Sequence, residues 1–328
     1  MTTTTKCLRH NDYTVAWVCA LPLEMAAAKA MLDEIHPDLP TTSNDQNTYI
    51  LGRIRAHNVV IACLPSGVYG TTSAAIVADQ MLFTFRSIRF GLMVGIGGGV
   101  PTKDADIRLG DVVVSKPTRD FGGVVQYDFG KTVAQGVFER TGRLNSPPQI
   151  LLTAIAKLQA DHMIGTSRIS DFLSQMIATY PEMSAEFTYR GQEQDTLFDA
   201  ASDNPCDTSK IVKRPARDRH DPAIHYGLIA SGNQVIKHGG TRDKLGQELG
   251  ILCFEMEAAG LMNNFPCLVI RGICDYADSH KNKQWQGYAA ATAAAYAKEL
   301  LSVIHPNQVE ETPAAVPVTN TSLQGPNG

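Results

Sequence analysis

The stretch ILCFEMEAAGLMNNFPCLVIRGICDYADSH, residues 251–280, contains the order of elements that decides the fold. Two short apolar runs, 251–256 and 266–273, predict buried strands, and the segment 257–264 between them predicts a helix. A strand followed by a helix and a second strand is typical of an α/β domain. The stretch therefore predicts two strands of a sheet that helices cover.

The rest of the chain repeats this alternation. Further strands are predicted at 13–21, 48–64, 90–98, 111–117 and 225–232. Further helices are predicted from Pro22 onward and at 72–85 and 284–303, since Pro suits a first helical position and Ala, Met and Leu favour helix. Because several strands are apolar on both faces, we predict an α/β domain with a largely parallel or mixed sheet.

The domain is predicted to span residues 12–305, between a flexible N-terminus at 1–11 and a disordered C-terminal tail at 306–328. Residues 140–224 interrupt the alternation and predict an insertion, which begins with a helical segment and continues as a polar, turn-rich one. The insertion is either a mobile lid or a solvated surface loop without a role.

Composition limits the classes of partner. The chain has 328 residues, 44% of them hydrophobic and 19% charged, and its net charge of -4 lacks the basic excess that favours nucleic acid or an anionic membrane. We expect a cytoplasmic protein, since the start has no apolar stretch suited to a signal peptide and no later run approaches the roughly 18 apolar residues of a membrane span. The seven cysteines contain no C-x-x-C pair and predict buried free thiols.

A glycine cluster, VGIGGGVP at 94–101, follows an apolar strand. It does not match the dinucleotide fingerprint, because the residues after it do not open a helix, and no lysine of a phosphate-binding loop follows. The cluster predicts either a tight structural turn or a loop that approaches a ligand.

Charged side chains stand at the ends of predicted strands, where open α/β sheets place their ligands. Glu24, Glu257 and Asp275 could each be a cap or a first-turn charge of a helix. Arg271, at the end of an apolar run, must find a carboxylate, a carbonyl or a ligand. Several charges at neighbouring strand ends favour a site.

Six segments in this order resemble the nucleoside phosphorylase and nucleosidase family, of the purine and uridine phosphorylase type. They are CALPLEM (19–25), VGIGGGVP (94–101), RLGDVVVS (108–115), IASGNQVI (229–236), FEMEAAG (254–260) and IRGICDYAD (270–278). The resemblance covers about 13–134 and 224–303. It implies a three-layer αβα sandwich with a central mixed, mostly parallel twisted sheet, and a homodimer or higher homo-oligomer.

The resemblance also implies roles for residues of these segments. Glu257 would accept hydrogen bonds from the ribose hydroxyls while Met256 packs on the sugar. Asp275 would protonate N7 of the leaving purine, and its carboxyl favours a 6-amino purine such as adenine. Glu24 would activate water beside Arg271, as in the hydrolytic branch of the family. Further substrate-binding residues implied are Glu255, Gly97, Gly98, Gln234 and Val235.

Two positions depart from the family pattern. Ile96 stands where a serine usually binds water or phosphate, which argues against phosphorolysis. Val235 stands where an aromatic residue is common. The cations Lys237, His238, Arg242 and Lys244 either bind 5′-phosphates or lie on a solvated helix start.

We therefore predict a purine nucleosidase that hydrolyses adenosine-type nucleosides, with a small-molecule purine nucleoside or nucleotide as its partner and no cofactor. No metal is expected, because the nine histidines lack the spacing of zinc ligands. The alternatives are an N-glycosidase of adenine nucleotides such as ATP in a defence role, a phosphate-dependent phosphorylase, and a non-catalytic nucleoside sensor. The defence role follows from a resemblance to nucleosidase-like modules that fungi fuse to signalling and repeat domains.

Overall fold

A computed structural model describes residues 8–40, 42–201, 208–218 and 221–316. The strands are β1 (Val15–Cys19), β2 (Glu34–Ile35), β3 (Tyr49–Ile54), β4 (His57–Cys63), β5 (Phe90–Gly99), β6 (Val112–Ser115), β7 (Val124–Gln126), β8 (Gly130–Thr132), β9 (Phe138–Arg140), β10 (Ile224–Ser231), β11 (Ile251–Glu255) and β12 (Cys267–Asp275). The α-helices are α1 (Pro22–Ala30), α2 (Thr71–Thr84), α3 (Gln149–Met163), α4 (Ile169–Thr179), α5 (Ser184–Phe187), α6 (Gly239–Leu249), α7 (Gln286–Val303) and α8 (Pro306–Glu311).

Ten of these strands form one mixed sheet, in the order β11-β10-β6-β12-β5-β1-β4-β3-β2, with β7 paired to β10. The strand β5 also pairs antiparallel with β11, through Gly98 with Phe254 and Gly99 with Cys253. This pairing closes β5, β12, β6, β10 and β11 into a ring. The predicted α/β fold with a mixed sheet is thus confirmed. The predicted three-layer sandwich is confirmed only in part, because half of the sheet closes as a five-stranded barrel.

The helix α7 fills the core on one side of the sheet. Its side chains are buried almost all round, as expected of an alanine-rich helix enclosed by other elements. It packs against β12 and β5 and is covered by α1, α3, α4 and α5. A Cβ on Gly272 would lie 1.8 Å from the carbonyl oxygen of Ala289, so the absence of a side chain there permits the close contact of β12 with α7.

A second core lies on the opposite side of the sheet. Side chains of β1 alternate between the two cores: Val15 and Trp17 face α7, whereas Ala16 and Val18 face the other. The second core includes the buried face of α2, so both faces of β1 are covered. This explains why the strand is apolar without alternation.

Two predicted elements differ from the structure. The segment 48–64 is not one strand but the hairpin of β3 and β4, because the chain reverses at Arg55, which has a φ of 54°. The predicted helix at 257–264 is only a 3₁₀ turn, Ala258–Gly260, followed by further turns. Gly260 lies so close to Thr71 that a Cβ would be 2.0 Å from its carbonyl oxygen, so the turn packs tightly against the start of α2.

The predicted insertion, 140–224, contains α3, α4 and α5. Leu151, Ile155 and Phe172 lie in the same core as α7. Part of this segment therefore belongs to the packed body of the domain.

The chain beyond 305 begins with α8. His305 caps this helix and Val309 is buried, so the first turns of the expected tail are helical rather than disordered. The rest of that tail, 317–328, and the first seven residues lie outside the described residues.

The cysteines agree with the predicted free thiols as far as they are described. Cys19, Cys253, Cys267 and Cys274 are buried and unpaired, and Cys63 is partly buried and also unpaired. Cys7 and Cys206 lie outside the described residues. Within the described ranges, none of the helices is long and apolar enough to cross a membrane.

Candidate active site

A fully buried guanidinium lies among three carboxylates beside the C-terminal half of β5. Arg271, in β12, donates from Nη2 to the carboxylate of Glu255 and lies 3.4 Å from Oε2 of Glu257. Glu24 approaches the same guanidinium, since a Cβ on Gly95 would lie 2.4 Å from both Arg271 Nη1 and Glu24 Oε1. The structure thus brings together four of the predicted site residues.

The carboxylate of Glu24 is fixed by backbone donors. It projects from the first turn of α1, where its Oε2 accepts hydrogen bonds from the N–H groups of Ala20 at 2.7 Å and Leu21 at 3.0 Å. Its Oε1 accepts from the N–H of Ile96 at 2.8 Å. Burial raises the pKa of Glu24, although Arg271 and the three N–H groups act in the opposite direction. Glu24 therefore combines helix-capping contacts with a position beside Arg271.

Glu255 is the last residue of β11, and Glu257 lies two positions further on. The two carboxylates have different hydrogen-bond partners. Glu255 accepts from the N–H groups of Glu257 at 3.2 Å and Ala258 at 3.0 Å, and so holds the turn after the strand. Burial, with the neighbouring Glu255 carboxylate, raises the pKa of Glu257 to about 7, against the effect of Arg271. Met256 lies between them, partly buried. Glu257 therefore changes charge near neutral pH.

Asp275 is the last residue of β12 and is 4% exposed. Its Oδ1 accepts a hydrogen bond from the N–H of Ala277 at 2.9 Å. Its Oδ2 contacts Lys281 Nζ at 2.9 Å and the thiol of Cys274 at 3.1 Å. Sequence reasoning missed Lys281, because a lysine six positions after a strand end has no spacing that predicts a return to that strand.

The glycine cluster, predicted as either a tight turn or a loop that approaches a ligand, is the end of β5. A Cβ on Gly97 would lie 2.9 Å from the carbonyl oxygen of Phe254, and one on Gly98 would lie 2.9 Å from Oδ1 of Asp275. None of the glycines in this strand has a positive φ. Glycine is required here by the close approach of β11 and of the acidic side chains, not by a left-handed turn.

The predicted base-pocket segment follows β10. Ser231, the last residue of that strand, pairs with Glu255, so the segment starts at the same end of the barrel. The carbonyl oxygen of Gln234 accepts a hydrogen bond from Tyr127 at 2.6 Å. Val235 is 43% exposed and is available to a ligand or to solvent.

Two of the four cations near 240 have structural partners. Arg242 is buried, donates to the carbonyl oxygen of Tyr276 at 3.0 Å and lies 3.5 Å from Asp278. His238 caps α6 by accepting from the N–H of Thr241. These contacts favour a structural role for both residues over binding of 5′-phosphates. Lys237 and Lys244 are exposed.

A family model described as the phosphorylase superfamily matches residues 14–304. The chain belongs to the phosphorylase superfamily. The match covers the barrel and α7, and so includes every residue of the candidate site.

Relatives in the superfamily differ in length. A nucleotide-binding leucine-rich repeat (NLR)-like protein of Hyaloscypha variabilis is 50% identical over 92% of this chain and 30% of its own length. The 5′-methylthioadenosine/S-adenosylhomocysteine nucleosidase of Mycobacterium tuberculosis is 25% identical over 89% of this chain and 96% of its own. The ATP nucleosidase Cap17 of Escherichia coli is 24% identical over 86% and 49%. The chain thus spans less than a third of the fungal relative and about half of Cap17.

Among solved structures, the 5′-methylthioadenosine/S-adenosylhomocysteine nucleosidase of Helicobacter pylori has a TM-score of 0.58 at 15% identity. The match covers 89% of the present chain and 99% of the Helicobacter pylori chain. It supports the fold.

Proposed function

We propose that the domain is a purine nucleosidase, which hydrolyses the N-glycosidic bond of adenosine-type nucleosides to a free base and ribose. The observation that carries this proposal is the cluster in which Glu24, Glu255 and Glu257 surround the single guanidinium of Arg271. Cleavage of the bond to C1′ develops positive charge on the sugar, as in other glycoside hydrolyses. Fixed carboxylates that outnumber the cation stabilise such a charge.

The water nucleophile is assigned to Glu24. Its two oxygens accept three backbone hydrogen bonds, and an ionised carboxylate has about four acceptor positions, so one position remains for water. Because burial raises the pKa of this carboxyl, its ionised form is a stronger base than an exposed glutamate. The proton of the attacking water passes to Glu24 as the bond to C1′ forms.

The leaving base is assigned to Asp275. As the bond between C1′ and N9 breaks, its electron pair stays with the purine, and a proton from the Asp275 carboxyl at N7 makes the base neutral. A carboxyl can also accept from a 6-amino group, so we propose adenine over a 6-oxo purine. Glu257 and Met256 are assigned to the ribose, and Gln234 and Val235 to the side of the base.

The charge of the cluster favours water over phosphate. A phosphate anion near Arg271 would also face the carboxylates that already bind this guanidinium. The position at which the family usually has a serine is occupied by Ile96, which contributes its N–H to Glu24 and has no hydroxyl for phosphate. We therefore propose hydrolysis rather than phosphorolysis.

The test compares base release from adenosine, inosine and 5′-methylthioadenosine by the wild-type chain and by variants. Asp275→Asn and Glu24→Gln are each expected to lower kcat by about 10²- to 10⁴-fold, the usual contribution of a general acid or base. Asp79→Asn, at an exposed position of α2, is the matched control. Unchanged turnover by Asp275→Asn would remove Asp275 from its assigned role.

A second candidate function is the cleavage of adenine nucleotides such as ATP. The observations in its favour are the similarity to the ATP nucleosidase Cap17 and to an NLR-like fungal protein of which the chain spans only part. A role in defence would follow from it. The same assay with ATP decides: release of adenine from ATP at a higher kcat/KM than from adenosine would favour this candidate.

The remaining proposals concern the state of the protein. We propose a single catalytic domain over 12–305 that acts in the cytoplasm as a homodimer or higher homo-oligomer, on small molecules and without a cofactor. Light scattering of the purified chain measures its oligomeric state. A monomer at micromolar concentration would contradict that part of the proposal.

A further inference from the structure

The predicted general acid has a cation bound to it. Lys281 lies in the loop that follows β12, and its Nζ is 2.9 Å from Oδ2 of Asp275. The Asp275 side chain is 3% exposed, whereas that of Lys281 is 28% exposed. The lysine therefore connects a buried carboxylate with solvent.

Both carboxylate oxygens of Asp275 accept hydrogen bonds. The N–H of Ala277 binds Oδ1, and Lys281 and the thiol of Cys274 bind Oδ2. Donors at both oxygens stabilise the ionised carboxylate. A carboxylate cannot protonate a leaving base, so a proton has to reach Asp275 before or during bond cleavage.

The groups that face Lys281 are Asp275, Asp278 and Cys274. Burial acts to lower the pKa of Lys281, but these groups, with Asp275 first among them, raise it. Asp278 has other donors, since it lies 3.5 Å from Arg242 and accepts from the N–H of His280. Asp275 is thus the group that Lys281 contacts directly. Because its pKa is raised, the Lys281 amine is in the protonated, ammonium form before substrate binds.

Contacts with the predicted insertion hold the loop of Lys281 in place. The ring of Phe198 stacks on that of His280 with a centroid distance of 3.6 Å and an interplanar angle of 5°. Arg190 donates from Nε to the carbonyl oxygen of Gln284 at 3.0 Å. The loop is bound on both sides of Lys281, which favours a persistent contact with Asp275.

We propose that Lys281 supplies the proton that Asp275 delivers to the leaving base. The proposal rests on the nucleosidase function proposed above. As the bond from C1′ to N9 breaks, the electron pair moves to the purine, N7 takes a proton from Oδ2 of Asp275, and Oδ2 takes a proton from Nζ of Lys281. The neutral amine then regains a proton from solvent. Lys281 does not touch the substrate in this scheme. It holds Asp275 in place and supplies the proton that Asp275 passes on.

The experiment compares Lys281→Ala, Lys281→Arg and a control, Lys283→Ala, at an exposed position of the same loop. Lys281→Ala is expected to lower kcat by about 10- to 100-fold, at or below the lower limit of general acid effects because solvent can also protonate Asp275, with little change in KM. Lys281→Arg is expected to stay low in kcat, because arginine keeps the ion pair but does not release its proton. Lys283→Ala is expected to behave as wild type.

Rescue by external amines distinguishes a Lys281 that supplies a proton to Asp275 from one that only forms an ion pair with it. Methylamine, ethylamine and 2-fluoroethylamine are added to Lys281→Ala, and the recovered kcat is expected to depend on the pKa of the amine. Recovery that does not depend on the amine pKa, full activity of Lys281→Arg, or full activity of Lys281→Ala would each overturn the proposal while leaving the nucleosidase function intact. Absence of base release by the wild-type chain would instead contradict the proposed function, and the proton pathway with it.

Discussion

At the scale of single residues, Arg271 determines the charge balance of the candidate site. Its guanidinium is fully buried and is bound by Glu255 and Glu257. Burial of a charge is unfavourable unless the charge is paired, and removal of one partner leaves the others uncompensated. The same residue therefore serves the stability of the barrel and the arrangement of the carboxylates.

Replacing Arg271 by Met is expected to destabilise the domain by about 3–5 kcal/mol, since Glu255 and Glu257 would remain buried without their cation. Urea denaturation of the wild-type and variant proteins measures this difference. Arg53→Met is the matched control, because that arginine forms an ion pair with Glu34 at the surface. Equal midpoints for Arg271→Met and wild type would contradict the described pairing.

Glu257 should make substrate binding depend on pH. Its pKa is raised to about 7, so the carboxyl is protonated below that pH and ionised above it. An ionised carboxylate accepts hydrogen bonds from two ribose hydroxyls, whereas the protonated form is a weaker acceptor. KM is therefore expected to rise as the pH falls from 8 to 6.

Steady-state kinetics at several pH values measures this dependence, and Glu257→Gln is the reference in which it should disappear. A wild-type KM that stays constant between pH 6 and 8 would show that Glu257 does not bind the sugar in its ionised form. A dependence that persists in Glu257→Gln would assign the titration to another group.

At the scale of elements, β5 shows what the sequence could and could not predict. The apolar run at 90–98 predicts a strand, and the strand is present. Its glycines predict a turn or a close approach, but the residues that approach them include members of α1, β11 and β12, which are distant in the chain. Spacing within one segment carries no information on those neighbours.

Gly98→Ala is expected to reduce kcat by 10-fold or more while the domain stays folded. Its new Cβ would lie 2.9 Å from Oδ1 of Asp275 and 3.0 Å from Cβ of Ala277, so Asp275, the proposed general acid, would have to move. A displacement of about 1 Å can cost on the order of 10²-fold in rate. Circular dichroism tests the folding and base release tests the activity; full activity would place the reacting base away from Asp275.

At the scale of the whole molecule, the alternation of strands and helices could be predicted in outline because strand and helix patterns are local. The six motifs, in their order, also identified the superfamily correctly. Closure of the barrel could not be predicted, since it depends on the pairing of Gly98 with Phe254. The packing of α3 to α5 on α7 was missed because the polar turns that follow these helices dominate the composition of the segment.

The predicted insertion is joined to the end of β12 by a buried polar contact. Tyr276, next to Asp275, donates its hydroxyl to Asp195, and this hydroxyl accepts from Arg214 Nη2 at 2.8 Å. Asp195 and Arg214 also form an ion pair at 2.9 Å. The residues around 195 and 214 therefore help to fix the end of β12.

Tyr276→Phe is expected to lower the free energy of unfolding by about 1–3 kcal/mol, because Asp195 and Arg214 would lose a buried hydrogen-bond partner. We also expect a lower kcat, since the residue after Asp275, the proposed general acid, would be held less firmly. Urea denaturation and base release measure the two effects. A variant with wild-type stability and kcat would show that the insertion does not support the site.

The central claim is that water, not phosphate, attacks the sugar, and product analysis tests it most directly. The purified chain is incubated with adenosine, 5′-methylthioadenosine and ATP, with and without phosphate, and the products are separated by chromatography. We predict free adenine in phosphate-free buffer, with a ribosyl product that carries no phosphate at C1′. Release of adenine only when phosphate is present, with ribose 1-phosphate as its partner product, would contradict the account.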